Sequence, residues 1–412
     1  MFGRFKKSQE AKAFLALDIG TEYVKALVFS VGNGEMLEIK AMHKERQDQR
    51  NMAGGMVTDI EGVANTCRRV INKLEDETGL KLTKAIVGVA GESIRGGVMT
   101  VHYERAKPDN KITASELRNV IQRVQWRTFD RFRNDFLEDT GQSCIDVRIV
   151  DAQILKIKID AYEVINPIDF QGKDIAFEIF NSIAPMIHIE SIKSVMRKLG
   201  IEIENIVAEP CAIANLLCSV GLNHPRSLLI DIGGGTTDMA IIKDGMVDGV
   251  RMFSLGGRAY SNRISEALGV GPVEAEDIKV KYSAGKLSKN TSYSIRTIFK
   301  KDSKIWVKGI QIALEKFFKF NFYPSAIYLC GGGCMIPEIK ESIRGAFSKD
   351  GIAMSVEFLY PDVFSNKISD HQNLLSDTSD IASIGLANVA LRKRDGVIEE
   401  SLNRAVRLMQ TQ

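Results

Sequence analysis

Residues 227–243 read SLLIDIGGGTTDMAIIK, and the architecture of the whole chain turns on how this stretch folds. An apolar run leads into Asp-Ile-Gly, a turn of small residues follows, and a second run rich in branched side chains leads away. That is the pattern of a β-hairpin with a tight glycine turn. Residues 14–31, FLALDIGTEYVKALVFSV, repeat it. A further turn follows each copy, Gly32-Asn33-Gly34 in the first and Lys243-Asp244-Gly245 in the second, and then another strand-like stretch. The copies lie about half a chain apart, too long a period for a solenoid and suited to a duplicated lobe. Two similar sheets facing each other across a cleft are expected.

The turns themselves suggest a ligand. Successive backbone N–H groups in such a turn form a nest for phosphate oxygens. Gly20 and Thr21 would hold one side of a phosphate chain, and Gly233, Gly234, Gly235, Thr236 and Thr237 the other. Asp18 and Asp231 set carboxylates beside phosphates, which requires a cation between them, so Mg²⁺ held largely through water is implied. Lys25, on the return strand, could reach a phosphate; its alternative is a solvated strand residue. A third element, YLCGGGCMIPEIKESI at residues 328–343, runs from a strand through three glycines into a helix near Pro337. Bare backbone at Gly331, Gly332 and Gly333, with Met335 beside it, would let a flat base or ribose lie against the chain. Neither a Gly-Lys-Ser/Thr phosphate loop nor Gly-x-Gly-x-x-Gly is present.

Bulk properties narrow the class. A chain of 412 residues calls for two lobes or several subdomains. A net charge of +3 gives no signal for nucleic acid. No apolar run approaches the roughly 20 residues that span a bilayer. The basic start MFGRFKKSQEAKAF precedes too short an apolar stretch for a signal peptide, so a cytosolic protein is expected. Cys67, Cys144, Cys211, Cys218, Cys330 and Cys334 form no CxxC pair and read as thiols of a reducing compartment.

Between the strands, residues 59–77 carry a helical stripe with Asp59 as N-cap, and residues 113–125 open on a capping-box pattern. Residues 83–101 and 145–180 read mostly as strands of a small α/β insertion. Residues 127–141, RTFDRFRNDFLEDTG, show no assignable period. Residues 278–320 hold eleven Lys/Arg against two acidic residues, a basic face.

In order, LDIGTEYVKALV, AEPCAIANLL, LLIDIGGGTTDMAI, YLCGGGCMIPEI and DIASIGLANVA resemble the five nucleotide-site motifs of the actin, DnaK-type chaperone and sugar-kinase superfamily. The resemblance implies an α/β, actin-like (ribonuclease H-like) duplicated two-lobe fold that binds ATP and Mg. It sets Glu209 where the superfamily positions the attacking water, a cap or hinge hydrogen bond being the alternative. It matches Glu276 and Lys279 to the pair contacting ribose and adenine. Within the superfamily, AIVGVAGESIRGG, ITASELRNVIQRV, INPIDFQGKDIAFEI and the AEDIK segment resemble FtsA, the bacterial cell-division family.

That resemblance divides the chain into a first-lobe core (12–83 and 174–225), an inserted 1C-like subdomain (84–173), a second-lobe core (226–261 and 321–391), a basic 2B-like subdomain (262–320) and a tail (392–412). It implies a polymerising protein, at most a slow ATPase. Its partners would be itself in a filament, the membrane surface, and the acidic C-terminal peptide of FtsZ at the 2B-like subdomain, with no nucleic acid. In the tail, Ile398, Leu402, Val406 and Met409 fall on one helical face flanked by Arg404 and Arg407, as in a helix that lies in a membrane surface. Packing as an ordinary terminal helix is the alternative. Residues Met1–Lys7 are a second candidate anchor. Two other functions stay open on this fold: a PilM-like pilus-assembly adaptor that binds a membrane-protein peptide, and a small-molecule kinase.

Overall fold

The computed structural model describes residues 13–141, 145–222, 224–315, 323–347, 354–392 and 396–411. The candidate anchor at residues 1–7, Cys144 and the end of the basic run, 316–320, lie outside the described residues.

Both hairpins form. β1 (Ala13–Ile19) and β2 (Tyr23–Val31) pair antiparallel with Asp18 opposite Lys25, and β3 (Leu37–Arg46) adds antiparallel to β2. After the small ribbon β4 (Met52–Ala53) and β5 (Met56–Val57) comes α1 (Ile60–Thr78), whose Asp59 side chain accepts from the N–H groups of Glu61 and Gly62. The helix packs its Val63, Cys67, Val70 and Leu74 stripe inward.

β6 (Lys84–Val89) then lies parallel to β1. The chain next builds the insertion: β7 (Arg95–Glu104), α2 (Ala114–Thr140), β8 (Val147–Ile159), β9 (Tyr162–Val164) and β10 (Asp174–Pro185). It returns through α3 (Met186–Leu199) to β11 (Glu202–Ala208), parallel to β6, and α4 (Glu209–Ser219).

The second lobe repeats the plan with β12 (Arg226–Ile232), β13 (Thr237–Lys243) and β14 (Met246–Phe253). Helices α5 (Gly257–Leu268), α6 (Pro272–Ser283) and α7 (Lys289–Ala313) follow, then β15 (Ala326–Cys330), α8 (Pro337–Phe347) and β16 (Ser355–Phe358). The chain finishes with β17 (Ile368–Ser369), α9 (Ile381–Asn388) and α10 (Val397–Thr411).

Sheet order makes the duplication explicit. The first lobe runs β11-β6-β1-β2-β3-β17, and the second begins β16-β15-β12-β13-β14, the same order with β15 and β16 in the places of β6 and β11. β15 is parallel to β12 as β6 is to β1. Both central strands are buried on their two faces, which explains their unbroken apolar runs. Beyond β14 the sheet continues through β7-β10-β8-β9, so the insertion extends the second lobe's sheet.

Two expectations need correction. The insertion was expected over 84–173, but β6 belongs to the first-lobe core and β10 to the insertion. β6 carries no sequence mark to separate it from β7, because both are short β-rich runs around Gly91. Residues 127–140 are the second half of α2, and Gly141 caps its end in a left-handed conformation. Phe129 and Phe136 continue the stripe of Leu117, Val120 and Val124, and the interleaved charges that obscure this period face outward.

Candidate functional site

The two glycine turns close alike. Gly20 N–H donates to Tyr23 O at 3.1 Å, and Gly233 N–H donates to Thr236 O at 3.0 Å. The turns meet across the lobes, where a Cβ on Gly235 would stand 2.8 Å from the Thr21 side chain. Only glycine permits that approach. Next to them, Gly331 has φ +82°, and a Cβ there would overlap the Asp231 carboxylate. The third glycine element is thus pressed onto the second hairpin, and Gly331 N–H donates to Thr378 O at 3.0 Å.

These contacts enclose a cavity of about 460 Å³ between the lobes. Asp18, Gly20, Thr21, Lys25, Glu209, Asp231, Gly233, Gly234, Thr236, Glu276, Lys279, Gly331, Gly332, Gly333 and Met335 all line it. Two expected residues do not. Gly235 is spent on the contact between turns. The Thr237 hydroxyl donates to Leu255 O at 2.6 Å and accepts from Trp306 Nε1 at 2.8 Å, so its side chain is committed to the interior of the second lobe. Strand alternation turns it to the face opposite Asp238.

Lys25 is a fixed cation. Its Nζ donates to Asp18 Oδ2 at 3.1 Å and to Ser379 O at 2.7 Å. Burial works against its charge, yet the Asp18 and Asp231 carboxylates outweigh this and raise its pKa. The solvated-strand alternative for Lys25 does not hold. Around it Asp231, Glu209 and Asp238 are held toward their neutral forms. Burial, opposed by Lys25 and assisted by Asp18, pushes Asp231 up to about 6. Burial together with Asp18, Asp238 and Asp231 raises Glu209 well above the carboxylate range. Glu209 stands at the first position of α4.

Asp238 was not foreseen. It is buried, lines the cavity and accepts from Thr236 Oγ1 at 3.0 Å. Burial and Asp231 raise its pKa well above the usual value. A signal did exist: Asp238 lies opposite Asp231 in the second hairpin, as Lys25 lies opposite Asp18 in the first. Superimposing the two repeats would have found it. Glu209 Oε1 and Asp238 Oδ1 have no hydrogen-bond partner among the described residues. Unpaired buried carboxylate oxygens call for water, a proton or a cation.

At the other end, Lys279 Nζ donates to Glu276 Oε2 at 2.7 Å and to Gly257 O at 3.1 Å, which fixes the pair on α6 against the start of α5. Among the described residues no cluster of three or more acids, histidines and cysteines is arranged to hold a metal directly. Asp18 and Asp231 fit a magnesium ion that takes its remaining ligands from water and phosphate.

The tail residues stand elsewhere. Leu402 and Met409 are 5% and 3% exposed within the insertion's apolar cluster, and Ile398 and Val406 pack at its edge. In this structure the face expected to meet a membrane is a packing face, because the second half of α2 offers it a complementary apolar surface. No helix among the described residues is long and apolar enough to cross a membrane.

Two repeated hairpin lobes closing on one cavity define the actin-like fold. A solved PilM-PilN type IV pilus biogenesis complex contains a chain of this fold, with a TM-score of 0.66 and 16% identity over 92% of this chain and 99% of that one. The ethanolamine utilization protein EutJ from Carboxydothermus hydrogenoformans matches at a TM-score of 0.50 and 14% identity, over 92% of this chain and 89% of its own. Residues 228–383 match the family described as cell division protein FtsA. The chain is similar to the FtsA proteins of Pseudomonas aeruginosa, at 26% identity over 67% of this chain and 62% of that protein, and of Bacillus subtilis, at 25% over 65% and 57%. It thus spans about three-fifths of the length of these two relatives. FtsA of Enterococcus faecalis aligns at 23% identity over 90% of this chain and 86% of its own. The chain therefore has the actin-like fold and is similar in sequence to FtsA proteins, with the family match confined to its second lobe.

Proposed function

We propose that this protein is an ATP-binding, FtsA-type cell-division protein that polymerises and tethers FtsZ filaments to the cytoplasmic membrane. One observation carries the nucleotide part: two identically closed glycine turns meet beside a largely buried Lys25 and two carboxylate oxygens that have no hydrogen-bond partner among the described residues. On this reading the backbone N–H groups of Gly20, Thr21 and Gly233–Thr236 cradle the phosphates, and Lys25 offsets their charge. Glu276 and Lys279 face the ribose and base, with Gly332, Gly333 and Met335 as the opposite wall. Magnesium, bound near Asp18 and Asp231, would neutralise phosphate charge. Glu209 is the group to orient an attacking water, and burial with its acidic neighbours holds it protonated, unable to accept a proton, until a cation binds.

The basic α6–α7 region suits an acidic peptide: Tyr293, Ile305 and Ile312 are exposed among its lysines, so apolar and charged contacts can combine. The tail supplies the membrane contact, and a filament would present many copies of a weak anchor.

Titration with a fluorescent ATP analogue and Mg²⁺ tests the site. Asp231→Ala should abolish binding while the protein stays folded; wild-type affinity in that variant would sink the reading. Co-sedimentation with vesicles of phosphatidylglycerol and phosphatidylcholine tests the anchor, with binding expected for the full chain and lost from residues 1–395.

A PilM-like adaptor remains the second reading. It is favoured by the packed tail, because an ordinary terminal helix is what that function would need.

A further inference from the structure

The C-terminal helix α10 presents one apolar face, and in this structure that face is already used. Leu402 and Met409 are buried in the cluster that holds Phe129 and Phe136 of α2 and Val147 and Ile149 of β8, and Ala405 of the same face is buried as well. Polar contacts fix the register of the helix on its seat. Gln410 Nε2 donates to Ile149 O at 3.3 Å and to Val150 O at 3.2 Å, and Lys193 Nζ donates to Gln410 O at 3.4 Å. Just upstream, Arg392 Nη1 donates to Asp151 Oδ2 at 2.7 Å. The opposite side, with Arg404 and Arg407, faces solvent.

We infer that the seat on α2 and β8 is an autoinhibitory contact that holds the tail away from an anionic lipid surface. The inference rests on the proposed membrane role of the tail. Its core is exclusion: one helical face cannot be buried against α2 and in a headgroup layer at once. Each lipid-bound tail is therefore an undocked tail, and undocking bares the apolar face of α2 and the β8 segment at Ile149 and Val150. The helix carries neither Trp nor Phe, so both its docked and lipid-bound states bury a modest area. States so matched are readily shifted by a surface that binds only one of them. The exposed Arg404 and Arg407 let an anionic surface engage the helix before its apolar face is released.

Two variants of the full chain test this. Gln410→Ala removes both bonds to β8 and leaves Ile398, Leu402, Val406 and Met409 intact. It should sediment with phosphatidylglycerol vesicles at several-fold lower lipid than the unaltered chain. Lys193→Cys with Gln410→Cys, joined by a reducible bismaleimide, pins the tail to its seat. The bridged form should bind at least tenfold more weakly, and reductant should restore binding to the level of Gln410→Ala. Amide exchange at Ile149–Ile154 should rise on adding vesicles to the unaltered chain and stay low in the bridged form. If the bridged and reduced forms bind lipid equally, the autoinhibitory contact is refuted while the membrane role stands. If no form binds, Gln410→Ala included, the membrane role itself fails and the inference falls with it.

Discussion

Arg258, at the start of α5 in the second lobe, donates to the Glu22 carboxylate of the first lobe from Nε at 3.1 Å and Nη2 at 2.9 Å. Nη2 also donates to Thr21 O at 2.8 Å, inside the first glycine turn. Glu22 is held from its own lobe by Arg46 Nε at 2.8 Å. Both groups of the Arg258–Glu22 pair are mostly buried, at 17% and 12% side-chain exposure, so the bond is little screened by solvent. It latches the lobes directly over the glycine turns.

Arg258→Ala should therefore loosen closure more than it unfolds the chain. Hydrogen bonds to charged groups contribute about 1.5–3 kcal/mol. Nucleotide affinity should fall by roughly tenfold to a hundredfold, mostly through faster release, as stopped-flow displacement of a fluorescent ATP analogue would measure. Arg46→Ala, which touches Glu22 from the same lobe, should cost markedly less. Equal losses would show that Glu22 matters only for its own lobe.

Gly331 makes a sharper test of the contact between the third glycine element and the second hairpin. A methyl group there would meet Asp231 Oδ1 and Ile232 O, in a backbone conformation that L residues avoid. Gly331→Ala should lose at least about 2 kcal/mol in urea unfolding. At Gly332 the nearest atom to a new Cβ is Ser379 Cβ at 4.0 Å, and Gly332→Ala should stay within about 1 kcal/mol of the parent. A tolerant Gly331 would mean that the element stands off from the hairpin.

What could be read in the sequence was local, repeated or both. Asp18 and Gly20, echoed by Asp231 and Gly233, disclosed the lobes, their hairpins and most of the cavity wall, because a tight turn between two apolar runs leaves its mark in adjacent residues. The Arg258–Glu22 latch joins positions far apart in the chain, and no periodicity links them. Asp238 was legible only by laying one repeat on the other. The tail showed its apolar face plainly, but a stripe such as Leu402 and Met409 does not say whether lipid or Phe136 will cover it. The same ambiguity hid the second half of α2, whose complementary face only the folded chain brings together.

The Asp231 carboxyl sets a pH dependence of definite sign. In the folded protein it keeps its proton up to about 6, whereas the ordinary value is 3.8. Between those values the folded form binds more protons than the unfolded one, so its contribution to stability falls as pH rises. Asp231→Asn removes that dependence. Without nucleotide or Mg²⁺, wild type should match the variant near pH 4 and drop below it by up to roughly 3 kcal/mol above pH 6. Urea titrations of both proteins across that range would measure the difference. A difference that does not change with pH would mean that Asp231 is ionised throughout. Mg-nucleotide, which favours the ionised carboxylate, should bind more tightly as pH rises through 6.

The join between the insertion and the second lobe bears on all of these motions. Gly96 and Gly97 of β7 pair with Val250 and Gly249 of β14, and Arg251 Nη1 donates to Gly96 O at 2.9 Å. The insertion thus hangs from the first lobe by its chain and from the second by two residues of strand pairing. Any change in the angle between the lobes must strain or pivot that short ladder, and the seat of the tail lies in the same sheet. A side chain at Gly96 would overlap Val250 Cγ2 and stand 2.8 Å from Phe180 Cζ, so Gly96→Ala should part the strands. Amide exchange at Gly97 and Val250 should quicken by at least about tenfold, equivalent to a local loss of about 1.4 kcal/mol. Gly97→Ala meets only Phe132 Cε2 at 3.3 Å and should leave the pairing intact. Unchanged exchange in Gly96→Ala would mean that the ladder does not join the two bodies. Quickened exchange together with nucleotide-independent docking of the tail would mean that it joins them without carrying the motion of the cleft.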